Sequence, residues 1–379
     1  MTVRRANSTK HRIAGSPLSS PGCGRAVGHR AVVQSELPIL VLFYDQGGAH
    51  LLATANVVRC ASMSNSMLTG IVAALFAAFA WSLNFVVPFV IGDYSVFDFA
   101  LFRFGISGAV GMGFLLWKWD TIRALRVSDW VMAFRLGFIG YLGYFLSVAG
   151  AAIFAGPVIA PAFLGLVPVV LAVAGNMRQK TVSWSALIIP LALAAVGLAL
   201  VNASVFDPAS LTSTRSLVVG IPLAIAAVGL WTWFGLANQR ALAERPSMDA
   251  GVWTALILVG GGLEMLAFMP VGLALGVFNI PQLGLGWDVA GPLYLWSISL
   301  AMLASVGAAL AWTFAAQRLP VALSAQLIVS ETVFGTIFGL AVHGRWPTLT
   351  ETFGIAVLVA GIMTAIHVFH SERRLAAAA

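Results

Sequence analysis

The chain has 379 residues, of which 60% are apolar and only 9% are charged. A water-soluble domain carries about a quarter charged residues because its surface must be solvated, so this composition excludes a soluble enzyme. Several apolar stretches also reach the roughly 20 residues that a helix needs to cross the hydrocarbon core of a bilayer. The sequence therefore predicts an all-α, polytopic membrane protein.

The N-terminal segment, residues 1–66, differs from the rest of the chain. It holds seven Lys or Arg against two acidic residues, and therefore supplies most of the formal net charge of +7. A basic tail can contact anionic lipid or nucleic acid, but no helical pattern or aromatic interleaving is present, so no nucleic-acid partner is expected. Its apolar run, 37–44, is short, contains a proline and lacks the cleavage site of a signal peptide. We interpret the segment as a disordered extension from a start site upstream of the natural one, at Met63 or Met67.

Sites for cofactors are missing from the membrane region. Both cysteines, Cys23 and Cys60, lie in the N-terminal segment, which leaves no thiol for a disulfide or a cysteine-based metal site elsewhere. The sequence contains no HExxH motif, no phosphate-binding glycine–lysine loop and no EF-hand loop. We therefore expect no cofactor, no metal and no ATPase subunit.

Apolar runs between charged residues, glycines and prolines predict ten membrane-spanning helices. The predicted spans lie near 68–91, 97–117, 132–152, 157–176, 184–202, 217–237, 250–276, 292–316, 320–342 and 351–369. A loop at 203–216 separates two five-helix units, 67–202 and 217–370, and a short tail, 371–379, follows them.

Basic residues between the predicted spans indicate the orientation, because cytoplasmic loops are enriched in Lys and Arg. If the first span begins inside the cell, only Arg215 and Arg345 fall in outer loops. Eleven basic residues then lie on the inner side: Lys118, Arg123, Arg126, Arg135, Arg178, Lys180, Arg240, Arg245, Arg318, Arg373 and Arg374. The sequence predicts a bacterial inner-membrane protein with both termini in the cytoplasm.

The two halves of the membrane region resemble each other. Residues 70–81, GIVAALFAAFAW, align with 220–231, GIPLAIAAVGLW, at an offset of 150, and the Gly-Pro pair at 156–157 aligns with the Leu-Pro pair at 319–320. The second offset is larger because the connection at 277–291 is longer. Five spans are an odd number, so the second copy is inverted in the membrane. Inverted repeats build secondary transporters, which bind substrate between the halves near the midplane.

Together these features resemble the drug/metabolite transporter superfamily, in its EamA type with two five-helix repeats. The resemblance rests on a tryptophan in the first helix of each half, an FALFRF stretch in the second span, proline-led fourth and ninth helices, and glycines in the fifth and tenth. These residues are Trp81, Trp231, 99–104, Pro157, Pro161, Pro168, Pro320, Glu331, Gly197, Gly354 and Gly361. The resemblance covers 68–370 and extends to YddG-type exporters of aromatic amino acids. The family's Gly-Glu pair before the last helix is replaced here by 343–345, His-Gly-Arg, so no role is transferred to that glutamate.

The resemblance implies a secondary transporter that exports aromatic or hydrophobic amino acids, or similar small metabolites, by alternating access. An exporter of nucleobases, drug-like cations or sugar derivatives is the alternative. The expected partners are a small-molecule substrate and the lipid bilayer, with the protein a monomer or a weak homodimer. Proton coupling and facilitated diffusion both stay open.

The candidate substrate-binding residues are aromatic or polar side chains inside predicted spans. They are Trp81, Asn84, Tyr141, Tyr144, Trp231, Trp312 and Glu331. Asn84 follows Trp81 by three residues and therefore shares its helical face. A polar group facing lipid would lack a hydrogen-bond partner, so we expect these groups to face the interior. Hydrogen bonding between helices is the alternative role.

Three ionisable residues inside the predicted spans, Arg103, Glu264 and Glu331, are candidates for coupling or for structural charges. Each costs several kcal/mol in a membrane unless it is paired or hydrated. Arg103 is either a counter-ion for a substrate carboxylate or a snorkelling or helix-pairing arginine, and the second interpretation is favoured. Glu264 is either a protonated acid bonded to a neighbouring helix or a coupling residue. Glu331 ranks first as a functional carboxylate.

Prolines in or at the ends of spans free backbone groups and allow bending. The candidate hinges are Pro88, Pro157, Pro161 and Pro320.

A rival from another class, an intramembrane serine protease, is suggested by the string Gly105-Ile-Ser107-Gly108. Such an enzyme needs a histidine beside the serine and an oxyanion hole. The candidate histidines, His343 and His367, lie at span ends, and Ser107 lies in mid-helix, so we expect no enzyme.

Overall fold

The computed structural model describes residues 66–202 and 214–378, apart from the side chains of 156–162, 214–216, 373 and 376–378. The predicted N-terminal extension and most of the 203–216 loop therefore lie outside the described residues. The same holds for the side chains of Pro157 and Pro161, two of the four candidate hinges.

The secondary structure of the described residues is helical. The principal helices are α1 (Ser66–Phe89), α2 (Val96–Trp117), α3 (Val127–Ala155, continuing to Leu164), α4 (Val167–Gln179), α5 (Trp184–Val201), α6 (Thr214–Ala243), α7 (Ala250–Ala274), α8 (Trp287–Ala316), α9 (Val321–Val342) and α10 (Leu349–Ala378). Two short helices, Trp119–Arg123 and Ile280–Leu283, lie in the connections before α3 and α8.

Nine of the helices in the described part of the chain are long and apolar enough to cross a membrane, and α4 is the exception. Pro168 occupies the first turn of α4, where its ring prevents the helix of α3 from continuing. With 13 residues, α4 is about 20 Å long, against a hydrocarbon core of about 30 Å. The all-helical, polytopic prediction is confirmed, and a count of ten spans stays a prediction.

Side-chain caps define where several helices begin. Ser95 and Asp98 form a capping box at α2, with a 3.1 Å bond from the Asp98 N–H to Ser95 Oγ and a 2.8 Å bond from the Ser95 N–H to Asp98 Oδ2. At α7 the Asp249 carboxylate accepts the Val252 N–H at 2.9 Å. These caps satisfy backbone donors that a helix start leaves free.

Helices of the first half pack mainly against helices of the second half. The most extensive contacts join α3 with α6, α5 with α10, and α2 with α7, and α4 packs against α9. Small residues allow the closest approaches. A Cβ added to Gly108 of α2 would lie 3.2 Å from the Gly262 Cα of α7, and one added to Gly361 of α10 would lie 3.1 Å from the Leu193 Cβ of α5.

One end of the bundle gathers the connections that carry most of the basic residues. Arg245, after α6, pairs with Asp129 of α3 at 2.6 Å, and Gln317, after α8, donates to the Met248 carbonyl at 3.1 Å. The Val321 N–H donates to Gln179 at 3.0 Å, which attaches the end of α4 here. We call this the basic end.

The opposite end is closed by connections with fewer basic residues. The Tyr94 hydroxyl donates to the Gly284 carbonyl at 2.7 Å, and the Asn279 side chain donates to the Asp93 carbonyl at 2.8 Å. Burial raises the pKa of the Tyr94 phenol, so the hydroxyl keeps its proton to a higher pH than that of an exposed tyrosine. Arg345 binds both carboxylate oxygens of Glu351, at 2.7 and 2.8 Å. This ion pair raises the pKa of the Arg345 guanidinium.

Candidate functional site

Four aromatic side chains from four helices meet inside the bundle. Trp81 of α1 contacts Trp231 of α6 edge to face, with 5.4 Å between the ring centroids, and lies 5.7 Å from Trp312 of α8. Tyr144 of α3 lies 4.9 Å from Trp231. We call Trp81, Tyr144, Trp231 and Trp312 the aromatic cluster. All four were predicted from the sequence as substrate-binding residues, and the structure brings them together.

A widened turn in α8 receives the Trp81 indole. Residues Ala301–Gly307 form a π-helical turn, and the Trp81 Nε1–H donates to the Ala304 carbonyl within it at 2.8 Å. Such turns interrupt the regular hydrogen-bond ladder and are frequent at functional sites. A second π-helical turn, Phe138–Gly143, lies in α3 and contains Tyr141. Neither turn was predicted, since no local sequence signal for a π turn was recognised.

Trp312, unlike Trp81, is held without a hydrogen bond from its indole N–H to any of the described residues. Its side chain is only 4% exposed, and its indole Nε1–H has no acceptor among the described residues. A buried donor without a partner costs about 1–3 kcal/mol. The ring is therefore fixed by packing on Trp81, and its N–H is available to a hydrogen-bond acceptor.

Asn84 is engaged with protein groups at both ends of its amide. Its Nδ2 donates to the Trp81 carbonyl at 2.7 Å, and its Oδ1 accepts from Nη1 of Arg103. Asn84 thus links the aromatic cluster to the arginine of α2. The sequence placed Asn84 on the Trp81 face but did not predict that Arg103 is its partner.

Arg103 connects three helices in the interior. Besides Asn84 of α1, it reaches Ser305 in the π turn of α8, where its Nε–H donates to the hydroxyl at 2.8 Å. The guanidinium also lies 5.9 Å from the ring of Phe99 and 5.6 Å from that of Phe104. Of the two structural roles considered for Arg103, the geometry agrees with helix pairing rather than with snorkelling.

Tyr141 lies beside this arginine rather than in the aromatic cluster. Its ring contacts Phe104 edge to face at 5.7 Å. It also packs on α7, where a Cβ added to Gly261 would lie 3.1 Å from the Tyr141 Cβ. Tyr141 and the Arg103 guanidinium therefore share one neighbour, the Phe104 ring.

The two predicted carboxylates have different surroundings. Glu331 of α9 is partly exposed and lies within electrostatic reach of Tyr144. On the same helix, both amide atoms of the fully buried Gln326 lack partners in the described part of the protein. Glu264 of α7 has one buried oxygen, Oε2, that also lacks a partner there, and no hydrogen bond or ion pair found among the described residues links Glu264 to the aromatic cluster. Glu331 is therefore the better placed of the two.

The two candidate hinges that can be described lie at helix ends rather than within helices. Pro88 lies in the 3₁₀ turn Val87–Phe89 that ends α1, and Pro320 is the N-cap of α9. Positions 157 and 161 fall within the part of α3 that continues to Leu164. Further prolines inside helices are Pro190 of α5, Pro222 of α6, Pro270 of α7 and Pro292 of α8. Among the described residues, bending at a proline is therefore more feasible in these four helices than at Pro88 or Pro320.

Comparison with known proteins gives one relative and a structural neighbour. The inner membrane protein YtfF of Escherichia coli (strain K12) is 31% identical over 316 residues, which are 79% of this chain and 95% of YtfF. A protein of known crystal structure has a similar fold, with a TM-score of 0.64 and 18% identity over 81% of this chain and 98% of that chain. No family model matches the sequence.

Proposed function

Because this chain has multiple helices able to span a membrane and belongs to the family of the inner membrane protein YtfF, we propose that it is a secondary transporter of the drug/metabolite, EamA type. It exports amino acids with aromatic or hydrophobic side chains, or similar small metabolites, across the inner membrane. The observation that carries this proposal is the aromatic cluster, which draws on α1 and α3 of the first half and on α6 and α8 of the second.

The pattern of helix packing supports an inverted repeat of five plus five helices. Three of the packed pairs join helices that hold the same position in the two halves: α2 with α7, α4 with α9, and α5 with α10. The contact of α3 with α6 corresponds to the contact of α1 with α8, because exchanging the two halves converts one pair into the other. The two π turns lie in α3 and α8, the third helices of their halves. Gly108 meets Gly262 between α2 and α7, as expected near a pseudo-two-fold axis. In this arrangement α4 is the counterpart of α9 and completes the ten helices.

This architecture supports alternating access. Transporters with inverted repeats bind substrate where the halves meet and open to each side in turn. Trp81 and Trp231 are equivalent in the alignment of the two halves and touch each other, which supports a substrate site at that meeting place. Apolar and aromatic walls with a few polar groups are the usual lining of a small-molecule site, and Asn84 and Glu331 supply polar groups here.

The surroundings of Ser107 support a transporter rather than a protease. The Ser107 side chain is buried and donates to the Phe104 carbonyl of its own helix at 3.2 Å. His343, one of the two candidate histidines, bonds the Gly339 carbonyl at 2.8 Å. The serine thus occupies a packed helix interface, and we infer that the protein is not an enzyme.

We infer that the basic end faces the cytoplasm, since positive loops are retained there, and that both termini lie on that side. The partners are a small-molecule substrate and the lipid bilayer, and the protein is a monomer or a weak homodimer. No nucleic acid and no ATPase subunit take part.

The test is counterflow into liposomes that contain the purified protein, with labelled tryptophan and a panel of unlabelled amino acids, nucleobases and cations. We expect aromatic amino acids to compete best. Trp231→Ala should weaken the apparent affinity for tryptophan about 2- to 10-fold more than the apparent affinity for threonine, since ring pairs add roughly 0.5–1.5 kcal/mol. Trp233→Ala is the matched control, because Trp233 lies on the same helix and is 59% exposed. Competition by nucleobases or cations alone would reject the amino-acid assignment.

A further inference from the structure

Arg103 is a fixed positive charge inside α2 whose hydrogen-bonding capacity is only partly used. A guanidinium carries five N–H groups. In the described part of the chain two of them have acceptors, Ser305 Oγ on Nε and Asn84 Oδ1 on Nη1. The remaining three include both N–H groups of Nη2, and the residue as a whole is partly exposed. A carboxylate can bind the end of a guanidinium that carries Nη1 and Nη2 with two parallel hydrogen bonds, and this end of Arg103 keeps three N–H groups without an acceptor among the described residues.

The acceptors of Arg103 do not neutralise its charge. An amide oxygen, a hydroxyl oxygen and two aromatic faces surround it. The ion pairs found among the described residues involve other arginines, so no carboxylate there lies within 4.0 Å of Arg103. An arginine stays protonated under physiological conditions, and a charge inside a membrane is costly without a partner. An anionic ligand would supply the missing partner.

The same two residues that hold Arg103 also connect it to the aromatic cluster. Asn84 donates to the Trp81 carbonyl at 2.7 Å, and Ser305 directly follows Ala304, whose carbonyl accepts the Trp81 indole N–H at 2.8 Å. The guanidinium is thus separated from Trp81 by one residue, Asn84, on the first route and by two, Ser305 and Ala304, on the second. These bonds place Arg103 beside the aromatic cluster, so a carboxylate bound to Arg103 would lie next to these rings.

We propose that Arg103 binds the carboxylate of the transported substrate, with Asn84 and Ser305 as positioning residues that aim the guanidinium. This inference rests on the proposed function and narrows it. The substrates are amino acids or other organic acids with an intact carboxylate. The corresponding carboxamides and decarboxylated amines are excluded, because they cannot neutralise the guanidinium.

The experiment uses the full-length protein in liposomes and counterflow of labelled tryptophan. The competitors are tryptophan, indole-3-propionate, tryptophanamide and tryptamine, so that the carboxylate and the amine are removed separately. For the wild type, the two carboxylates should compete at about 10- to 100-fold lower concentration than the amide and the amine, the range expected for hydrogen bonds to a charged group. In Arg103→Gln this preference should fall to about twofold or less. Arg135→Gln, at an exposed arginine of α3, should keep the wild-type preference.

Milder variants keep the test decisive if Arg103→Gln does not insert. Arg103→Lys retains the charge without the planar edge, and Ser305→Ala removes one positioning bond. Both should reduce the carboxylate preference by about 3- to 10-fold, as expected for a binding group that is present but poorly aimed.

The outcomes separate the two proposals. Variants that lower uptake of every compound equally while keeping the carboxylate preference would assign Arg103 a purely structural role. A wild-type protein that exchanges amino acids but accepts tryptophanamide as well as tryptophan would also overturn the inference while leaving the proposed function standing. A wild-type protein that exchanges none of the amino acids would reject the proposed function itself.

Discussion

The ion pair between Asp129 and Arg245 joins the start of α3 to the connection after α6 at the basic end, with 2.6 Å between Nε and Oδ1. The Asp129 and Arg245 side chains are 12% and 18% exposed. The pair is therefore intermediate between surface pairs, which contribute about 0–1 kcal/mol, and buried pairs, whose disruption costs about 3–5 kcal/mol. We therefore expect a coupling free energy of about 1–3 kcal/mol. Asp129→Asn is the cleanest change, because an amide oxygen can still accept the Arg126 N–H that Asp129 accepts at 3.0 Å.

The coupling energy is measured by a double-mutant cycle with Asp129→Asn and Arg245→Gln, from denaturant unfolding of the protein in detergent micelles. Arg245 also donates to the Ala241 carbonyl at 3.0 Å and lies 5.6 Å from the Trp253 ring centroid. The cycle cancels the free energy lost with these two contacts. The control is the Arg240–Glu244 pair, whose side chains are 73% and 50% exposed, and which should show no measurable coupling. Equal coupling in the two cycles would refute the argument from burial.

Three further predictions address packing, coupling and topology. Gly108→Ala should destabilise the protein by about 1–3 kcal/mol in the same unfolding assay, because its Cβ would meet α7. The space around Gly113 is open, so Gly113→Ala should stabilise the protein by up to about 1 kcal/mol. Glu331→Gln should abolish uptake driven by a pH gradient and spare counterflow if Glu331 relays protons; full pH-driven uptake would exclude that role. A single cysteine at Asp288 in a Cys-free background should react with an impermeant reagent from outside, and one at Arg126 should not. The reverse pattern would invert the topology.

Much of the fold could be predicted because hydropathy and caps are local properties of the sequence. The predicted spans 184–202 and 320–342 agree with α5 and α9 to within a residue at each end. The span predicted at 157–176 was less successful, since Pro168 starts a separate, shorter helix. Apolar composition alone could not distinguish that helix from a full span.

The candidate site was predictable in its members but not in its connections. An embedded tryptophan is conspicuous in a sequence, and Trp81 and Trp231 do contact each other. The bond between Arg103 and Asn84, and the bond between Arg103 and Ser305, join different helices and depend on rotation and depth that a single sequence does not specify. For this reason the sequence alone does not distinguish snorkelling of Arg103 from helix pairing.

The π turn of α8 also sets the rotational phase of everything that follows it in that helix. A π turn takes in about one residue more than an α turn, and each residue of an α-helix adds about 100° of rotation and 1.5 Å of rise. Trp312 lies five residues beyond Gly307, where the turn ends, and faces the interior with Trp81. If Ala301–Gly307 became a regular α-helix with all of its residues kept, the Trp312 ring would rotate by about 100°, away from Trp81, whereas removal of one residue from the turn would leave the ring facing Trp81. In relatives of this protein, the lipid-facing and interior residues of the equivalent helix therefore have to be counted separately before and after the turn.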